Sequence, residues 1–150
     1  MSAGQPPPNR RSLARRLAMQ GLYQWLLNGT SPLELVKQFR GQEEGLGRAD
    51  PALFEQLLNG TVEAAPALTL QLAPHLERPV HQLDPVEHAV LLLGAYELVN
   101  APDVPWKVCV NEAVNLAKLF GAEDGYKFVN GVLDRLARDV RPAEAGRRSA

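Results

Sequence analysis

The chain has a single cysteine, Cys109, in 150 residues. No internal disulfide can form, which excludes a cross-linked secreted scaffold. Long apolar runs are also missing. No stretch reaches the roughly 20 residues that a membrane-spanning helix needs. The opening residues, MSAGQPPPN, have no apolar signal core, so a cytoplasmic location is expected. Metal-ligand spacing is absent as well. His75, His81 and His88 are separated by Pro79 and Pro85, so one continuous helix does not carry all three. No glycine-rich loop has the spacing that cradles a phosphate. Cys109 stands between apolar residues and reads as an inert core thiol. With no placed base, nucleophile or metal, the expectation is a protein that is not an enzyme and holds no cofactor.

What the chain does contain is enough for a core. Hydrophobic residues make up 45% and charged residues 22%, values of a globular protein rather than a disordered one. A chain of this length can bury roughly 70% of its extended surface in one domain. The net charge of −1 conceals a segregation. The first 33 residues carry Arg10, Arg11, Arg15 and Arg16 and no acid. The end of the chain is also rich in arginine, and the acids lie mainly between. Such asymmetry bears on partners more than the total does.

The pattern along the chain is helical. Residues 1–9 are rich in proline and read as a disordered lead. From Ser12, the positions Ala14, Leu17, Ala18, Gly21, Leu22 and Trp25 fall on one side at about 100° per residue, predicting a core face. Asn28-Gly29 ends that helix. Ser31-Pro32, Asp50-Pro51 and Asp84-Pro85 are helix starts: a capping oxygen followed by proline at the first helical position. Glu87 stands where it can complete a capping box with Asp84. Residues 41–50, GQEEGLGRAD, read as an exposed mobile loop. Pro66 is expected to interrupt or kink its helix. The alternation of Leu68, Leu70, Leu72 and Leu76 permits a strand locally, but no partner strand is evident. The segment to about Val99 is apolar almost all round, the pattern of a central buried helix. Further helices are expected from Val104-Pro105 to Gly121 and from Asp124-Gly125 to about Arg138. The resulting fold class is all-α, with about seven helices in two packed subdomains, 10–78 and 83–138. Residues 139–150 read as a flexible basic tail.

Two regions suggest binding. Arg10, Arg11 and Arg15 form a basic arm at a helix start, where the macrodipole disfavours positive charge. A phosphate-bearing partner would compensate, since guanidinium binds phosphate through paired hydrogen bonds. A plain solvated basic turn is the alternative. At the corner between the last two long helices stand Tyr126, Lys127 and Phe128. Tyr126 and Lys127 could stack a base and meet a phosphate. By periodicity alone, Phe128 borders the core face. Tyr23 falls on the helix face opposite Leu17, Gly21 and Trp25, and is expected to be exposed. A protein partner could use it.

The stretches GLYQW at 21–25, DPVEHAVLLLGAYEL at 84–98, DVPWKVCVNEAVNLAKLFGAED at 103–124 and KFVNGVLD at 127–134 resemble the NusB family of bacterial transcription antitermination factors. The resemblance covers residues 10–138 in the family's order. It implies an RNA-binding adaptor that takes single-stranded boxA RNA of ribosomal RNA transcripts together with NusE, a small-subunit ribosomal protein. NusA, NusG and RNA polymerase complete the assembly. Carried over residue by residue, it places Arg10, Arg11, Arg15, Phe120, Asp124, Lys127 and Phe128 near RNA. It places Tyr23 and Glu87 at the NusE surface. The competing reading is a protein-interaction or homodimerisation module that binds no RNA.

Overall fold

The computed structural model describes residues 8–146. Residues 1–7 of the expected lead and residues 147–150 of the expected tail lie outside that range. Each early helix begins where a short polar side chain takes up free amides. Asn9 accepts from the Ser12 N–H at 2.7 Å to open α1 (Arg10–Asn28). Ser31 accepts from the Glu34 N–H at 3.2 Å at the head of α2 (Pro32–Arg40). Asp50 accepts from the Leu53 N–H at 3.1 Å ahead of α3 (Pro51–Leu72). Asp84 accepts from the Val86 N–H at 2.8 Å ahead of α4 (Pro85–Asn100). Then follow α5 (Trp106–Phe120), α6 (Gly125–Val140) and the short α7 (Pro142–Ala145). Gly29 closes α1 in the left-handed region, at φ 70°. Two 3-10 turns, Ala73–His75 and Val80–Gln82, fill the link between α3 and α4. Among the described residues there are seven α-helices and no strand, so the all-α expectation holds.

Helix α4 is the hub. Every residue from Ala89 to Leu98 is buried, and the helix packs on α1, α3, α5 and α6. The two expected subdomains therefore share one core. Gly94 is required where α6 crosses closely: a Cβ there would lie 2.6 Å from Leu133 Cδ1. The contacts also give the directions. Arg15 of α1 bonds Glu97 of α4, while Trp25, farther along α1, lines the same groove as His88 and Leu92, earlier on α4, so these helices run antiparallel. Glu87, Gly94 and Leu98 of α4 meet Gly125, Leu133 and Arg141 in the same order, so α6 runs parallel to α4.

Four expectations change. Pro66 does not break α3, which continues to Leu72. Its ring faces solvent, and buried Ala65 and Leu68 hold the helix to the core on both sides. The 41–50 loop is not exposed throughout: Leu46 packs on the core and Ala49 is buried, while Gly47 and Arg48 between them are exposed. The segment 139–146 is not a loose tail, because Arg141 is 7% exposed and anchors it. The buried face of α1 includes Arg15 and Met19, while Leu17 and Trp25 are only half-buried.

The reason for that last shift is a buried ionic cluster. Arg15 is 3% exposed and donates to both carboxylate oxygens of Glu97, at 2.8 and 3.0 Å, and to Glu112 at 3.2 Å. Ser12 Oγ donates to the same Glu112 oxygen at 2.8 Å. Burial opposes the charge on Arg15 most strongly, but Glu97 and Glu112 outweigh it and hold its pKa above the ordinary value. Arg141 caps the C-terminal end of α4, donating to the carbonyls of Glu97, Leu98 and Ala101, and also to Val104 in the following turn. Cys109 lies beside these groups. Burial, then the charge of Glu97, pushes its thiol up to about 11, so it stays protonated and inert.

Removing one partner of a buried pair leaves an uncompensated charge, at a cost of about 3–5 kcal/mol. Arg15→Ala should therefore lower the urea midpoint severely, while Arg11→Ala, at an exposed position, should change stability by only about 0.5 kcal/mol. Equal midpoints for both variants would show that the cluster contributes nothing.

Candidate nucleic-acid interface

The basic arm divides into two kinds of arginine. Arg11 is exposed. Arg10 is exposed too, with its Nε–H donating to the Arg48 carbonyl at 3.2 Å. Arg15, the third residue expected at RNA, is instead enclosed by Glu97 and Glu112 and has no face free for phosphate. Its helix spacing from Arg11 was legible; its burial depended on carboxylates 82 and 97 residues away.

The corner is built by α5 and α6. Phe120 ends α5 and is 38% exposed. Lys118 lies over the Tyr126 ring at 4.8 Å from its centroid, and Lys127 lies over the same ring at 6.0 Å. Lys127 also pairs with Asp124 at 3.3 Å, both side chains being well exposed. Asp124 has φ 68°, the left-handed region, and its side chain makes no capping bond, so the capping role available to it is not taken. Phe128 is half-buried and packs against the core.

Helix α5 spans the gap between arm and corner. Ser12 and Arg15 reach it at Glu112. From Glu112 to Phe120 is roughly 12 Å along the axis at 1.5 Å per residue. Exposed Asn115 and Leu119 lie on the turns between, on the same side of the helix as Glu112. The arm and the corner thus flank one exposed face rather than touching. Asn115 and Lys118 are exposed on α5 and Arg48 is exposed in the α2–α3 loop, and sequence reasoning had not singled them out as contacts. Arg48 sits in a loop with no periodic signal.

The two residues expected at a protein partner are Tyr23 on α1 and Glu87 on α4. Because α1 and α4 are antiparallel, Tyr23 lies toward the end of α4 that carries Glu87. Tyr23 is half-buried against the core rather than fully exposed. The Glu87 carboxylate does not turn back to the Asp84 amide. A Cβ on Gly125 would lie 2.9 Å from Glu87 Oε2, so the carboxylate rests against the head of α6. Burial, then Asp84, raises the Glu87 pKa, and Arg78 opposes this. Beside this end, an apolar groove of about 380 Å³ is lined by Trp25, Leu26, Val62, Leu70, His88 and Leu92 among others.

Among the described residues no group of His, Cys, Asp and Glu has metal-site geometry, and no helix is long and apolar enough to cross a membrane. The NusB family model matches residues 12–138.

The chain belongs to the NusB family.

It is 52% identical over 143 residues to the transcription antitermination protein NusB of Ralstonia nicotianae, covering 95% of this chain and 92% of that one. The NusB of Paraburkholderia phymatum is 52% identical over 134 residues, covering 89% and 92%. Among solved structures, T. maritima NusB superposes with a TM-score of 0.77 at 26% identity, covering 95% of this chain and 99% of that chain. A crystal structure of antitermination factors NusB and NusE in complex with dsRNA gives 0.73 at 26% identity, covering 85% and 96%. The family's members are non-enzymatic transcription antitermination factors.

The Glu87 shift has a testable sign. A carboxyl whose folded pKa is raised favours its protonated form, so its contribution to stability is present below the ordinary carboxylate range and is lost as pH rises through the raised value. Glu87→Gln should melt above the parent at pH ~7, with the gain shrinking to nothing as pH falls below about 4. A gain that stays constant across that range would separate it from the charge.

Proposed function

We propose that this NusB-family chain is an RNA-binding adaptor. It holds single-stranded boxA RNA of ribosomal RNA transcripts together with NusE, in the cytoplasm, within a complex that includes NusA, NusG and RNA polymerase. The observation that carries the reading is the exposed face of α5, flanked at one end by Arg10 and Arg11 and at the other by Phe120, Lys127 and the Tyr126 ring. Cations at both ends suit a backbone, and the exposed Phe120 ring suits an unstacked base. The NusB–NusE complex with dsRNA among the structural relatives supports RNA and NusE as the partners.

In this reading Arg10, Arg11 and Lys127 meet phosphates, and Phe120 stacks a base. Phe128 packs beneath the corner and offers an edge. Arg15 is a positioning residue: it pins the start of α1 to α4 and α5, and so sets where Arg11 stands. Tyr23 and Glu87 meet NusE. Holding both partners at once raises the effective concentration of each for the other. A module serving only protein contacts or a homodimer is the second reading, favoured by the apolar groove beside Trp25 and Leu70.

Titration of the chain with a single-stranded boxA oligoribonucleotide at several salt concentrations separates the two. Three phosphate contacts give a log–log slope of roughly −2. A dimeric free chain that binds no such RNA would put the second reading first. At the corner, Asp124→Asn removes a negative charge and releases Lys127 from its pair. RNA affinity should hold or rise, and a clear fall would place Asp124 in a supporting role for the corner.

A further inference from the structure

The loop between α2 and α3 meets the basic arm at two fixed points. Arg10 Nε–H donates to the Arg48 carbonyl at 3.2 Å, and the Asp50 N–H donates to the Arg10 carbonyl at 3.1 Å. Between them, Ala49 is buried in the core. The backbone at 48–50 is therefore anchored against the first turn of α1. Gly47, at φ 58°, makes the turn that delivers it there. With Ala49 buried, the side chain of Arg48 is exposed on a residue whose own carbonyl holds the Arg10 guanidinium.

Charge around this point is lopsided. None of Arg10, Arg11 and Arg48 forms an ion pair among the described residues, whereas nearby Arg40 is paired with Glu55. Asp50, the acid next in line, has its carboxylate engaged by the Leu53 N–H. Glu43 and Glu44 lie on earlier turns of the loop, which close through Gly45 N–H to Gln42 O and Gly47 N–H to Glu44 O. The first turn of α1 contains no acid. Arg10 spends only its Nε–H on the loop, leaving its two terminal nitrogens without a partner among the described residues. It is thus held in place with its phosphate-facing donors free, which reduces the ordering cost of a contact.

We propose that Arg48 is a further RNA-contact residue, and that the α2–α3 loop carries the RNA surface past the start of α1. This rests on the adaptor reading above and deepens it. The strand's backbone, after leaving α5 and meeting Arg11, continues over Arg10 onto Arg48. The contact is electrostatic and blind to base identity, as phosphate contacts are.

The structural and binding roles of Arg48 separate cleanly, because its carbonyl holds Arg10 whatever the side chain. The test is titration of the full chain with the single-stranded boxA oligoribonucleotide over a salt series, for the parent, Arg48→Gln, Arg48→Lys, Arg11→Gln and Arg40→Gln. Arg48→Gln should weaken binding several-fold at low salt and reduce the salt slope by about 0.7, the share of one phosphate on a single strand. Arg48→Lys should recover the slope, Arg40→Gln should leave it at the parent value, and all melting temperatures should agree. If Arg11→Gln weakens binding while Arg48→Gln matches the parent, Arg48 is no contact and the adaptor reading stands. If neither variant changes binding, the basic arm itself is not an RNA surface, and both ideas fall. A melting temperature lowered in Arg48→Gln in step with its affinity would assign the side chain to folding instead.

Discussion

Arg15 is the residue on which the placement of the surface depends. An arginine buried at 3% exposure has no stable place in an apolar core unless its charge is met, and Glu97 and Glu112 meet it. Because those glutamates belong to α4 and α5, satisfying one guanidinium fixes three helices relative to one another. Arg141 does the same at the other side of the cluster, where it takes the free carbonyls at the end of α4 and ties down the chain after α6. Hydrophobic packing alone is tolerant of small slides between helices. A two-point bond from Arg15 to Glu97 is not, since a slide of one turn would break it and leave a charge stranded.

The consequences for function are geometric. Pinning α1 to the middle of α5 sets the exposed arginines at a defined distance from the corner, with α5 as the spacer. The parallel course of α4 and α6 brings Glu87 to the head of α6, one residue from Tyr126 and two from Lys127. The Glu87 carboxylate, expected at a protein partner, therefore rests against the helix start that carries the corner expected at RNA.

Much of the fold was readable from local chemistry. The caps at Ser31, Asp50 and Asp84, the prolines after them and the glycine at 29 act within four residues, so their signals lie side by side in the chain. The almost wholly apolar pattern of 89–98 marked α4 as central for the same reason. Pro66 does not interrupt α3 because its local penalty is set against the burial of a whole helix face, which local reading does not weigh. The one clue to the ionic cluster was Glu97 itself. A carboxylate inside an otherwise apolar helix demands a cation, and the sequence offered several without saying which.

The sequence by itself determined most of the helices, the caps that start them, the class of the fold and the two regions rich in cations or rings, because each of these follows from residues near one another along the chain. Only the tertiary structure decided which arginines face water. Arg15 was withdrawn from the arm, and Arg48 was brought beside it from a loop. Both outcomes come from partners far away in sequence: a desolvated charge must find its counterion wherever the fold puts one, and an exposed side chain takes its neighbours from the packing of the backbone beneath it.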